Sequence, residues 1–338
     1  MTDLSPEQYF AEAAPALLLD VRSPGEFAAG HIDGAVNLPL FSDAERAEVG
    51  TLYKQHSADA ALLRGLDLVG PKMRTLIERA RTAGAADGTV VQCWRGGQRS
   101  ASVGWLLEQT GLRVRRLAGG YQAYRAYARR WLAEAPYHLR VLSGPTGSGK
   151  TEVLRALRNR GAAVLDLEAL ANHKGSSFGA LGEAPQPTTE AFENRLFAEL
   201  RELPSGTPLW VEDESRMIGT VCQPDVFYHR LLDAPAVELA MSNDRRVDHL
   251  VRVYSQYPHE LLAQAFTRLR KKLGGQHLNT ALEALAANDY ATACRVALVY
   301  YDKAYAHYAK RRRVGPVATV RIADQDSAEA VADQLLRL

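Results

Sequence analysis

"GPTGSGKT", residues 144–151, decides how the second half of this chain folds. It fits G-x-x-x-x-G-K-T in full. An apolar run from Leu139 to Leu142 precedes it, and a helix is expected to open near Thr151. A strand, a glycine-rich turn and a helix form the context in which backbone amides turn inward to cradle a diphosphate. In that reading Gly144, Thr146, Gly147, Ser148 and Gly149 shape the cradle. Lys150 balances phosphate charge, and the Thr151 hydroxyl is the candidate ligand for Mg2+. The motif says that a diphosphate binds, not that a nucleotide is hydrolysed. "LWVEDE", residues 209–214, reads as a partner strand ending in carboxylates. Asp213, with Glu212 as the alternative, is the candidate acid for organising the metal; a solvated acidic turn is the plainer reading.

The first part of the chain also alternates strands and helices, the pattern of a mostly parallel sheet. Strands are expected at Ala16–Val21, Thr89–Gln92 and Arg113–Leu117, and helices at Ser100–Gln109 and Tyr121–Glu134. Ser23-Pro24-Gly25-Glu26 reads as a capping box with proline at the first helical position. Ala135-Pro136 marks the expected boundary, giving domains at 1–134 and 135–338. From Leu261 to Arg313 the pattern is helical, with a break at Gly274-Gly275. A strand at Ala318–Ile322 and a helix at Ser327–Leu338 follow.

The 338 residues are 46% hydrophobic and 24% charged, and the net charge is +2, so any nucleic-acid partner has to be met by local clusters. No apolar run approaches 18 residues, and the first residues carry no signal pattern, so no membrane association is expected. Cys93, Cys222 and Cys294 are too few and too scattered for a disulfide framework or a zinc site. A reducing cytoplasm suits them.

"CWRGGQRS", residues 93–100, places Cys93 between an expected strand and helix. Amides at a helix N-terminus stabilise a thiolate or a bound anion. Gly96 and Gly97 let the backbone curl into an anion nest, and Arg95 and Arg99 add positive charge. The Cys-x5-Arg spacing suits phosphate-ester cleavage as well as a persulfide or perselenide; a buried structural cysteine has no use for such neighbours. Basic residues gather at Arg268–Lys272 and at Lys310–Arg313. The second group closes an expected helix, Val296–Arg313, that also carries Tyr300, Tyr301, Tyr305 and Tyr308. Lys271, Lys272, Arg311, Arg312 and Arg313 are the candidate phosphate contacts. The tyrosines are either base-stacking platforms or core residues. Arg113, Arg115, Arg116, Arg125, Arg129 and Arg130 form a third basic set.

"LLLDVRSPGEFAAGHIDGAVNLPL", residues 17–40, resembles the N-terminal signature of rhodanese domains, and "LAGGYQAYR", residues 117–125, resembles the segment after their active loop. Cell-cycle phosphatases of rhodanese-like fold share the signature, so a phosphatase remains open at this point. A rhodanese-like domain fused to a P-loop domain, with CWRGGQRS, "DLEALANHKGSSFG" (166–179) and "VEDESRMIG" (211–219), resembles the bacterial tRNA 2-selenouridine synthase family over the whole length. Lys174 stands where that family leads us to expect arginine. The fold expected is α/β throughout: an N-terminal rhodanese-like domain, then a P-loop NTPase-like α/β domain with a helical basic subregion.

The resemblance implies a transferase acting on the wobble 2-thiouridine of tRNA, with Lys, Glu and Gln isoacceptors as substrates. It implies geranylation of the sulfur from geranyl diphosphate, then replacement by selenium from selenophosphate, with a selenophosphate-supplying enzyme as a partner. Cys93 would handle the selenium as a perselenide. The other readings are a tRNA sulfurtransferase, a Cys-x5-Arg phosphatase, a P-loop kinase, and an RNA-binding adaptor.

Overall fold

The capping box at Ser23 forms as read. The Ser23 hydroxyl accepts from the Glu26 amide, and the Glu26 carboxylate accepts from the Ser23 amide at 3.0 Å, opening the Pro24–Ala29 helix. The computed structural model describes residues 1–12, 16–203 and 206–338. They divide into two units, Met1–Leu132 and Ala133–Leu338.

The first unit is built on a parallel sheet of β1 (Thr2–Leu4), β2 (Leu18–Asp20), β3 (Val36–Asn37), β4 (Val90–Gln92) and β5 (Arg115–Leu117). Their order is β1-β5-β4-β2-β3. β2 and β4 are buried along their whole length, which is why they read as short apolar runs without alternation. The chain leaves β3 on one side of β2 and returns as β4 on the other. Helices Asp43–Gln55, Ala58–Val69 and Met73–Thr82 fill that crossover. No element was expected there. Leu19, Val91, Val103 and Leu107 form the centre of the core.

The second unit holds a parallel sheet of β6 (His138–Ser143), β7 (Ala163–Leu165), β8 (Pro208–Glu212), β11 (Ala236–Met241) and β12 (Pro316–Ile322). A hairpin of β9 (Met217–Ile218) and β10 (Val221–Cys222) stands apart from it. The order is β12-β11-β6-β8-β7, so β6 is central. The Lys150–Asn159 helix buries Val153, Leu154, Ala156 and Leu157 against Leu142, Trp210 and Leu239.

The helical subregion consists of His259–Arg268, Arg270–Leu273, Gly275–Ala286 and Tyr290–Ala309. The break at Gly274 occurs as expected, with Gly274 at φ +81. A second break was not expected. Asn288 takes φ +60, and the Asp289 carboxylate accepts from the Thr292 amide at 2.9 Å, so the last helix starts at Tyr290 rather than Val296. It stops at Ala309, which corrects the expectation that Lys310–Arg313 lie on it. No helix among the described residues is long and apolar enough to cross a membrane.

Candidate functional site

Each sheet presents one loop at the carboxyl end of a strand where the order of the sheet reverses, the position where open α/β sheets bind ligands. In the first unit that loop follows β4. Cys93 is buried, and its Sγ lies 3.3 Å from the Ser100 Oγ. Ser100 donates to the Gly97 carbonyl at 3.0 Å, so its oxygen is free to accept from the thiol. The 117–122 segment clamps the loop. The amides of Tyr121 and Gln122 donate to the carbonyls of Cys93 and Trp94, both at 2.9 Å. Gly120 makes this possible: it sits at φ +59, where an added Cβ would lie 2.1 Å from the Cys93 carbonyl oxygen. With those carbonyls committed, the amides of Trp94 to Gly97 donate to no other backbone group among the described residues, the state an anion nest requires.

The charges around this loop differ from expectation. Arg95 is exposed and has no ion pair among the described residues. Arg99 is instead held by Glu26, at 2.6 and 3.3 Å. Burial alone would raise the Glu26 pKa, but Arg99, the Ser23 amide and Arg46 outweigh it and hold it low. Arg99 therefore acts first as a brace between the loop and the Pro24–Ala29 helix. Beneath lies a pair that sequence reasoning gave no role. Arg22 and Asp20, both fully buried, pair at 2.7 Å, and the Arg22 guanidinium lies 3.8 Å from the centre of the Tyr121 ring.

In the second unit the loop 144–149 leaves the central strand β6. Gly147, at φ +83, brings the backbone so close to the Asn243–Tyr254 helix that an added Cβ would lie 3.0 Å from Leu250. Lys150 donates to the Gly144 carbonyl at 2.9 Å, which holds the ammonium over its own loop. The Ser148 hydroxyl is buried without a partner. The Thr151 hydroxyl donates to Glu168 at 3.3 Å, and the Glu168 amide donates to Glu212 at 2.9 Å.

Glu168 was missed, although its segment had been singled out. The signal was present: β7 ends and Asp166 caps the next short helix, which puts Glu168 in its first turn. Burial and the neighbouring Glu168 push the Glu214 carboxyl up to about 8, with Lys150 opposing. Burial, helped by Asp166 and Glu168, also raises Glu212. Carboxyls that keep their protons do not repel a phosphate. No three acidic, histidine or cysteine side chains converge as a metal cage among the described residues. Thr151 and Glu168 are the protein groups that would face a Mg2+ carried in with a diphosphate, which would supply charge neutralisation there.

Asp213 points elsewhere. It pairs with Arg312 at 2.8 Å, and both side chains are at most 4% exposed. Arg312 also donates to the carbonyls of Leu231 and Ala234. This corrects two expectations: Asp213 is occupied by Arg312 instead of standing open to a metal, and Arg312 is not available to an RNA phosphate. Arg312→Ala is expected to lower stability by about 3–5 kcal/mol, because Asp213 is left buried without its counter-charge. A denaturant titration measures this, and a loss below about 1 kcal/mol would count against it.

The tyrosines resolve towards the interior. Tyr301 accepts from the Ser177 amide at 3.0 Å. Tyr305 donates to Glu238 at 3.0 Å, and Tyr308 donates to the Glu214 carbonyl at 2.8 Å. Arg311, Lys271 and Lys272 are exposed, and Arg313 is exposed with only a surface pair to Asp233. In the third basic set, Arg113, Arg115, Arg116 and Arg130 pair with Asp87, Glu12, Asp3 and Glu7, and Arg125 is buried.

One feature had no sequence signal. Beside the phosphate loop, Thr146 forms part of the wall of an almost wholly apolar pocket. Phe178, Leu250, Tyr254, Leu262, Phe266, Ala297 and Tyr301 line it with others. Its tyrosine hydroxyls are engaged elsewhere: Tyr301 with Ser177, Tyr290 with His259 at 2.6 Å, Tyr254 with Ser176.

Residues 137–336 match the family model described as the tRNA 2-selenouridine synthase AAA domain, and residues 7–127 match the rhodanese-like domain. The chain is 43% identical to the tRNA 2-selenouridine synthase of Bdellovibrio bacteriovorus, over 70% of this chain and 64% of that protein. That match therefore spans a little under two thirds of the relative. To the protein of the same name from Nitrosomonas europaea it is 33% identical, over 94% of each chain. To that of Bordetella petrii it is 37% identical, over 87% of each.

Proposed function

Because this chain belongs to the tRNA 2-selenouridine synthase family, we propose that it modifies tRNA in two steps, prenylating a 2-thiouridine and then exchanging the sulfur for selenium. The observation that carries this reading is the apolar pocket beside the phosphate loop. A nucleotide needs polar partners for its base and ribose. The enclosed space is small, about 40 Å³, and Thr146, Ser176 and Ser255 share its lining, but the surface it exposes is nearly all apolar. Such a wall beside the 144–149 cradle suits a hydrocarbon tail better than a base and ribose. Geranyl diphosphate is the donor of that description.

In the first step the thiocarbonyl sulfur attacks C1 of the geranyl chain. The C1–O bond breaks and its electron pair leaves with the diphosphate, whose charge the loop amides and Lys150 receive, while the N3 proton of the base passes to solvent. Mg2+, when bound, would neutralise further charge on the leaving group. Alkylation makes carbon 2 of the base more electrophilic and turns a poor leaving group into a thiolate. In the second step selenium attacks carbon 2, the C2–S bond breaks, and geranylthiol leaves with a proton. Selenophosphate would supply the selenium: the Cys93 sulfur takes its phosphoryl group as the P–Se bond breaks and hydrogenselenide leaves, and water then carries the phosphoryl group off as phosphate. The nest around Cys93, with Arg95 at its rim, is suited to receiving such an anion.

The test is to mix the protein with 2-thiouridine tRNA and geranyl diphosphate, then selenophosphate, following nucleosides by mass spectrometry. S-geranyl-2-thiouridine should appear first, then selenouridine with release of geranylthiol. Selenouridine formed with ATP and no prenyl donor would overturn the reading.

Of the five candidate phosphate contacts, Lys271, Lys272, Arg311 and Arg313 stay exposed for the tRNA backbone. Replacing Arg311 and Arg313 by glutamine is expected to lower the slope of log affinity against log salt by about 0.7 to 0.9 per lost contact. The rate at saturating tRNA should hardly change. Equal slopes in filter-binding titrations would place the RNA on another face.

A further inference from the structure

We propose that Tyr290 sets the longest prenyl chain this protein accepts; the inference rests on the prenyl-donor reading above. The Asn243–Tyr254 and Tyr290–Ala309 helices run antiparallel beside the phosphate loop. Arg246 donates to the Thr146 carbonyl at 2.8 Å and pairs with Asp302 at 3.2 Å, which fixes the end near the loop. Further along, Leu250 and Leu298 share one hydrophobic cluster, against which Tyr254 and Cys294 pack. The pocket follows this seam. Its wall on the second helix reads Tyr301, Ala297, Cys294 with its neighbour Ala293, and Tyr290, steps of three or four along one face apart from that adjacent pair.

Small side chains line the middle of that face around an opening of about 40 Å³, and a large ring stands at each end, so a prenyl chain has to widen the seam and meets a ring at its far end. The Tyr301 ring is tied beside the phosphate loop through Ser177. Tyr290 lies about three turns away, roughly 16 Å along the helix. Its ring is fixed. The hydroxyl meets the His259 Nε2 at 2.6 Å, and the two rings stand edge to face at 5.6 Å. Leu262 and Leu285 line the same pocket and belong to the cluster against which Tyr290 packs. A chain with one more isoprene unit would have to displace a ring held by both packing and a hydrogen bond. A one-carbon misfit in an apolar pocket is already worth 10-fold or more in discrimination, roughly.

The experiment measures transfer of dimethylallyl, geranyl and farnesyl groups from their diphosphates to 2-thiouridine tRNA. Wild type, Tyr290→Ala and Ala293→Phe are compared, with circular dichroism confirming the fold of each. Tyr290→Ala should raise the farnesyl-to-geranyl ratio of kcat/KM by about tenfold or more. Ala293→Phe, which fills the seam one turn nearer the loop, should lower geranyl relative to dimethylallyl by a similar factor. Should Tyr290→Ala fail to fold, the Ala293→Phe ratio decides. Unchanged ratios in folded variants, with geranyl transfer intact in wild type, overturn the role of Tyr290 alone. No prenyl transfer by wild type from any of the three donors overturns the prenyl-donor reading, and this inference with it.

Discussion

Lys150→Ala is expected to reduce geranyl transfer by about 10²- to 10³-fold, the usual effect of removing one preorganised donor from a developing oxyanion. Lys150 lies over its own loop, 2.9 Å from the Gly144 carbonyl, where a diphosphate would meet it. Its charge also opposes the upward shifts of Glu168 and Glu214, so its loss should push both carboxyls further up. The variant should still selenate tRNA that has been geranylated beforehand, because the proposed selenium exchange draws on Cys93 and not on this loop. Loss of both steps in a folded variant would mean that the loop serves something other than the prenyl donor.

Cys93→Ser should abolish selenouridine formation and leave geranylation intact, so that S-geranyl-2-thiouridine accumulates. The substitution is nearly isosteric, and the Ser100 hydroxyl at 3.3 Å gives the new hydroxyl a partner, so the fold should survive. What is lost is a polarizable sulfur that ionises far more readily than a serine hydroxyl. Nucleoside mass spectrometry with geranyl diphosphate and selenophosphate supplied together separates the two steps. Undiminished selenation by the serine variant would remove Cys93 from the mechanism.

What could be read from the sequence was local. The phosphate loop, the capping box at Ser23 and the buried strands β2 and β4 depend on neighbours a few residues away, and all appear in the structure. The pocket depends on residues between Thr146 and Tyr301 that only the packing of separate helices brings together. No spacing rule could show it. Arg312 was misjudged for a related reason. In a run of Lys310 to Arg313 it looks like one more solvated cation, but its partner Asp213 lies 99 positions away. Glu168 sits in the first turn of a five-residue helix capped by Asp166, too short to stand out beside the run of carboxylates that closes β8. The Asp43–Thr82 helices were not read at all, and the Asp43–Gln55 helix buries none of its residues, so it carries little of the apolar periodicity that marks a packed helix.

The Asp213–Arg312 pair also limits how such a chain can change over generations. Losing either partner alone costs about 3–5 kcal/mol, against a total margin of roughly 5–15 kcal/mol for a folded domain. Most single-step mutational routes through either position therefore pass close to unfolding. Replacing both with apolar residues of matching volume can be neutral. Descendants that lack the aspartate should then lack the arginine too, and the two should be inherited as a unit although they lie in distant parts of the chain.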